Sequence, residues 1–308
     1  MGKIWLLKIN LSADECVLFR VSWRDDCPEP GFGMSQKNLM LLLTSHNTLQ
    51  KVHVPGIVYE PAELNLPALT KIRGLSNLSY LNITITQITC VKIWEKIFTK
   101  IGSPCLLTIN YVDSVFGQVE HETGEIVRSL SSFNNSVCIS LVRLNLIGIR
   151  FRPEFVPALE KWWFPCLKAL KLQECPESHI MLSSLRGLHA LSAFALTKLW
   201  GDSPQLRQSL SEFLVAVRGL QEIRLQVLRS GLPKVSAITF HASTLHTLVM
   251  LPTSGQSTSA IYTAKQQKKI YTKCSLLKHL SLSLESLHER EDIECVCAAQ
   301  CFFVPLVS

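Results

Sequence analysis

Leu167-Lys168-Ala169-Leu170-Lys171-Leu172-Gln173-Glu174-Cys175 sets an apolar residue, skips two, sets a second, skips one and sets a third. Leu141-Val142-Arg143-Leu144-Asn145-Leu146 is the same phrase, and Leu220-x-x-Ile223-x-Leu225-x-x-Leu228 and Leu49-x-x-Val52-x-Val54-x-x-Ile57 restate it with branched residues. Looser copies begin at Ile4, Leu78, Leu191, Leu245 and Leu277, and Leu106–Tyr111 is a weaker one. The long gap between Ile4 and Leu49 predicts a degenerate copy at Val17–Val21. From Leu141 onward the first positions follow one another at intervals of 24–32 residues. A phrase returning at such a period marks a repeat architecture, which settles fold class before any local propensity is weighed.

The phrase has a physical reading. Side chains alternate along an extended segment, so the second and third apolar positions point to one side while the residues between and beside them point to the other. One such unit cannot bury its apolar side alone, whereas parallel stacking of neighbours buries all of them in a continuous core. Between the phrases the chain reads as helix. Residues 204–217 place Leu206, Leu210, Phe213, Leu214 and Val217 on one face, behind the Asp202-Ser203-Pro204 start signal. Val91–Phe98 and Pro153–Leu159 read similarly. The expected fold is therefore an α/β leucine-rich-repeat solenoid, a horseshoe with parallel strands on the concave face and helices on the convex one. A compact α/β domain is the competing architecture, but its strands run as apolar blocks rather than as two fixed apolar positions around one polar residue.

Residues 1–287 are expected to form the repeat domain, with an exposed, Ser/Thr- and Lys/Gln-rich insertion near 252–274. Residues 288–308 would be a C-terminal cap or frayed tail. A hydrophobic fraction of 47% against 18% charged residues supplies ample core and excludes disorder over the whole length. The net charge of +7 comes from scattered Lys and Arg, with Lys265, Lys268 and Lys269 the one dense cluster, which argues against nucleic acid. No apolar run approaches the roughly 18 residues that span a bilayer. Eleven cysteines, several inside apolar phrases (Cys90, Cys166, Cys175), suit reduced, buried thiols in an intracellular protein, cytoplasmic or nuclear, better than a disulfide framework. The first eight residues do not read as a signal sequence.

Chemistry is hard to place on this chain. Cys295, Cys297 and Cys301 with His288 contain zinc-type donors, but their spacing is not that of paired Cys-x-x-Cys ligands. Gly201-Asp202-Ser203 resembles an esterase nucleophile block, yet a helix start explains it better. No catalytic, metal or cofactor-binding residue is assigned, and a non-enzymatic protein is expected. The strand geometry does assign partner contacts: Lys8, Lys51, His53, Asn82, Arg143, Asn145, Lys171 and Arg224 fall on the concave face. Among the outward positions Glu222 is the single acid, so the expected partner is a protein with an acidic segment.

Cys166–Cys175, Leu182-Ser183-Ser184-Leu185, Leu210–Leu214, Gly219–Leu225 and His241–Met250 together resemble the repeat region of filamentous-fungal F-box/leucine-rich-repeat proteins, over most of residues 45–285. The resemblance implies recruitment of a protein substrate by the repeats, and docking of an F-box to a Skp-type adaptor of a cullin ubiquitin ligase. No Leu-Pro-x-Glu helical block of an F-box stands at the start of this sequence, and its first phrase opens already at Ile4. The adaptor is thus expected only if an F-box lies upstream, and a stand-alone repeat scaffold or inhibitor is the alternative.

Overall fold

Two columns of buried apolar side chains run through the middle of a single sheet in the computed structural model. The structure describes residues 8–10, 18–20, 34–35, 51–54, 57–58, 80–85, 106–111, 141–185, 188–199, 204–251 and 262–282. In chain order its strands are β1 (Lys8–Asn10), β2 (Leu18–Arg20), β3 (Met34–Ser35), β4 (Lys51–Val54), β5 (Ile57–Val58), β6 (Tyr80–Ile85) and β7 (Leu106–Tyr111). They continue with β8 (Arg143–Ile147), β9 (Ala169–Gln173), β10 (Ala193–Thr197), β11 (Glu222–Gln226), β12 (Thr247–Leu251) and β13 (His279–Leu282). All but β3 and β5 join one sheet in the order β1-β2-β4-β6-β7-β8-β9-β10-β11-β12-β13; β3 and β5 pair separately. From β2 to β13 each strand of the large sheet lies parallel to the next.

Register explains why this order forms. The second apolar positions of successive phrases pair in register, from Val52 through Leu81, Leu107, Leu144, Leu170, Phe194 and Ile223 to Leu248 and Leu280. From Leu81 to Leu248 these side chains are at most 2% exposed. A second column, Ile109, Leu146, Leu172, Leu196, Leu225 and Met250, is buried alongside it. The leading residue of each phrase, Leu141, Leu167, Leu191, Leu220 or Leu245, enters the same core. Burying one such side chain stabilises by about 1.5–3 kcal/mol, so each unit is held chiefly by its neighbours.

The turn before each strand repeats as well. The carbonyl of Val142 accepts from the amides of both Lys168 and Ala169, at 2.8 and 3.1 Å. Lys168 in turn accepts from Ser192 and Ala193, Ser192 from Gln221 and Glu222, Gln221 from His246 and Thr247, and His246 from Lys278 and His279. Strand exits share a second device: Gly148, Glu174 and Lys198, each directly after its strand, hold left-handed φ of 72°, 53° and 55°. A non-glycine residue there costs about 1–2 kcal/mol. Glu174 and Lys198 meet in an ion pair at 3.0 Å across the adjoining exits.

The described helices lie on the face toward which the columns point. These are α1 (Val156–Leu159, led in by a 3-10 turn at Pro153–Phe155), α2 (Ser178–Ser184), α3 (Pro204–Ala216), α4 (Val235–Thr239) and α5 (Ala264–Lys273). Leu206, Leu210, Phe213, Leu214 and Val217 carry α3 into the core as its spacing predicts. Polar ties hold one helical layer to the next. Ser183 Oγ meets Ser209 Oγ at 3.0 Å, the Lys234 amide donates to Ser211 Oγ, and the Tyr262 hydroxyl donates to the Pro233 carbonyl at 2.5 Å. Gly231 lets its turn lie against α3, since a Cβ there would stand 2.8 Å from Leu206.

The structure adds to the sequence reading at five places. The strand at Leu18–Arg20 fills the predicted gap between β1 and β4, and β7 is a full member of the sheet. β1 runs antiparallel to β2, against the expectation of parallel strands throughout. The link between them, residues 11–17, is shorter than the dozen or so residues that a parallel crossover needs. Within the expected insertion, α5 is built into the body: a Thr263/Gln266 capping box starts it, and Ile270 and Tyr262 lie in the core. Cys175 and Cys274 are buried, whereas Cys166 is exposed. The expected helix at Val91–Phe98, the Asp202-Ser203 start signal and the tail 288–308 lie outside the described residues.

Candidate binding face

Alternation leaves the opposite face of the sheet to the residues between the columns. Its burial pattern confirms the split: β8 reads exposed, buried, intermediate, buried, intermediate, and β9 to β11 alternate in the same way. Strand register sorts these outward residues into rows. One row runs Asn82, Thr108, Asn145, Lys171, Ala195, Arg224, Val249, Ser281. The row beside it runs Tyr80, Leu106, Arg143, Ala169, Ala193, Glu222, Thr247, His279.

Five of the partner contacts expected from the sequence stand in these rows; Lys8, Lys51 and His53 adjoin them by register alone. Asn82, Asn145, Lys171 and Arg224 share the first row, and Arg143 stands in the second. By register His53 pairs with Asn82 and Lys51 with Tyr80, while Lys8 pairs with Arg20 and Arg20 with His53. Register also exposes a relation that spacing alone does not, namely that Ala169, Ala193 and Ala195 adjoin one another between β8 and β11.

The two ends of the row differ in chemistry. Toward β7 it is a neutral ladder, where Asn145 Nδ2 donates to Thr108 Oγ1 at 3.0 Å and Asn82 Nδ2 to the Tyr80 hydroxyl at 3.4 Å. Toward β11 it becomes cationic. Lys171 lies next to Asn145, and Arg143 next to Ala169; Arg224 is ion-paired with Glu222 on its own strand. Glu222 is the only acid among the outward positions of the described strands. Exposed pairs of this kind add little to stability, about 0–1 kcal/mol, so these charges are not needed for the fold.

Titratable groups elsewhere serve structure. Burial pushes the Cys175 thiol up to about 12; its Sγ lies 3.3 Å from the Gln173 carbonyl and 3.4 Å from that of Leu146. A thiol held so firmly protonated is a packing group, not a nucleophile. His241 is buried behind α3, with Nε2 2.8 Å from the Leu214 carbonyl and Nδ1 without a partner, and burial lowers its pKa. Among the described residues no group of three or more His, Cys, Asp or Glu side chains could hold a metal ion. No helix among them is long and apolar enough to cross a membrane. Ser203 and the Cys295, Cys297, Cys301 and His288 set lie outside the described residues. Compared with protein-family models and with curated proteins, the chain matches none.

Proposed function

We propose that this chain is a leucine-rich-repeat horseshoe that works as a protein-interaction module, its concave sheet face receiving a segment of another protein. One observation carries the reading: the described helices take one face of a sheet at least eight strands wide, and the other face carries short alanines among polar and cationic side chains rather than a packed apolar layer. The recurring turn carbonyls and phrase register support the horseshoe.

Within that class the substrate-recruiting repeat region of an F-box-type ubiquitin-ligase receptor is our preferred role, inside the cell. Residues 45–285 carry the resemblance on which it rests. Its test is affinity capture from source cells with the full chain as bait. The wild type is compared with a variant reversed on the open face (Arg143→Glu with Lys171→Glu) and one reversed on a helix (Lys269→Glu). A partner lost only from the open-face variant supports the binding module. A partner kept by all variants overturns it. Capture of a Skp-type adaptor and a cullin with the endogenous protein supports the ligase role, and their absence leaves a stand-alone scaffold.

A further inference from the structure

We infer that the open face is a carboxylate-binding site for an extended acidic peptide, centred on the three alanines and read by Arg143, Lys171 and Arg224. The inference rests on the binding reading above and names its partner chemistry. Neighbouring strands lie about 4.8 Å apart, so Lys171 and Arg224, two strands apart in one row, stand about 10 Å from each other with Ala195 between them. Arg143 is one strand over from Lys171 and two residues back, next to Ala169. Ala169, Ala193 and Ala195 end at Cβ, and the long side chains around them rise above that level. The result is a low floor walled by cations, wide enough for a carboxylate side chain to reach both walls.

Charge decides the occupant. Arg143 and Lys171 face no carboxylate on the described part of the sheet, while Arg224 is already engaged by Glu222. An anion entering from above therefore meets two unengaged cations and a third that it must share. A neutral or basic segment would leave those cations unneutralised and gain nothing from them. Glu222 acts as a built-in competitor, occupying part of the site in the free protein.

The competitor makes the test sharp, because variants on one face must move affinity in opposite directions. The probe is a fluorescein-labelled peptide alternating Glu with Thr, which puts its carboxylates on one side when extended; binding to the full chain is read by anisotropy at low salt. Arg143→Gln and Lys171→Gln are each expected to weaken binding about tenfold, as loss of a close charge pair does. Ala195→Leu, which keeps every charge but raises the floor, is expected to weaken it similarly. Glu222→Gln is expected to tighten it about threefold, and Lys269→Gln on α5 to leave it within twofold. Binding should fall as salt rises, and the same peptide with Gln in place of Glu should not bind.

Equal binding of the Gln peptide, weakening by Glu222→Gln, or an Ala195→Leu variant indistinguishable from wild type would each overturn the inference. So would binding of a phosphoserine peptide where the Glu peptide fails. All the substituted positions lie outside the core, and circular dichroism with thermal melting checks that each variant folds. Failure here while Arg143→Glu with Lys171→Glu still abolishes partner capture would sink only the acidic-peptide inference. Failure of both would sink the binding module itself.

Discussion

The two faces of the sheet are built from the same strands, residue by residue in alternation, yet they obey opposite rules. On the helix side Phe194 is 1% exposed and in contact distance of Phe213, with ring centroids 4.8 Å apart. One residue along, Ala195 faces outward, and the fold asks nothing of it. Stability belongs to the inward positions and, on the proposed reading, partner choice to the outward ones, and the pleat separates them within a single peptide unit. A repeat protein can thus change what it binds without touching what holds it together.

The hardest way to break that division is to attack it on both sides at once. Phe194→Ala should cost about 3–5 kcal/mol in urea unfolding, as large-to-small changes in a packed core do. Ala195→Ser should stay within about 0.5 kcal/mol, the range of surface substitutions. Comparable losses for the two would mean that the outward face is structural.

Next in size are the ties between helical layers. Tyr262→Phe removes the donor to the buried Pro233 carbonyl and should cost about 1–3 kcal/mol. That loss should leave any affinity of the open face unchanged once the chain is folded.

Acid supplies a third test. Burial lowers the pKa of His241 in the folded chain, with the hydrogen bond to Leu214 pulling the other way; burial likewise lowers that of His179, opposed by Glu177. Below the ordinary value of 6.5 the unfolded chain therefore binds protons that the folded chain resists, and the contribution of these neutral histidines is lost as pH falls. Melting temperature should drop between pH 7 and pH 5. His241→Gln, which can still donate to Leu214, should flatten part of that drop.

The smallest effect on stability is expected from alkylation. Iodoacetamide should modify Cys166 in the native protein without shifting the melt, whereas Cys175 should react only on unfolding, as followed by peptide mass mapping.

Much of this was open to reading in the residues themselves. The inward column was legible because Leu, Ile, Val and Phe recur at fixed offsets, and α3 because its apolar residues keep a helical period. Arg143, Lys171 and Arg224 followed from alternation alone. Less legible was whatever depends on which residues stand beside one another across two dozen positions of chain. The Asn145–Thr108 bond and the adjoining alanines exist only once register is known. The Lys/Gln surface of α5 hid that this segment packs into the body, since only Ile270 and the preceding Tyr262 show its buried side. Cys166 sits just before a leading leucine, and an apolar neighbourhood in sequence did not make it an inward residue.

One feature of the turns reaches beyond the present chain. Each unit addresses the next through a single carbonyl that receives two amides, at Val142, Lys168, Ser192, Gln221 and His246 alike. Such a joint depends on backbone, not on side chains, so it constrains the packed side chains of the two units very little. Gene duplication or deletion of one unit would widen or narrow the open face by one strand, about 4.8 Å, and leave the joints on either side intact. The sheet is in that sense a ruler with interchangeable divisions, on which the distance between two binding groups is adjusted by counting.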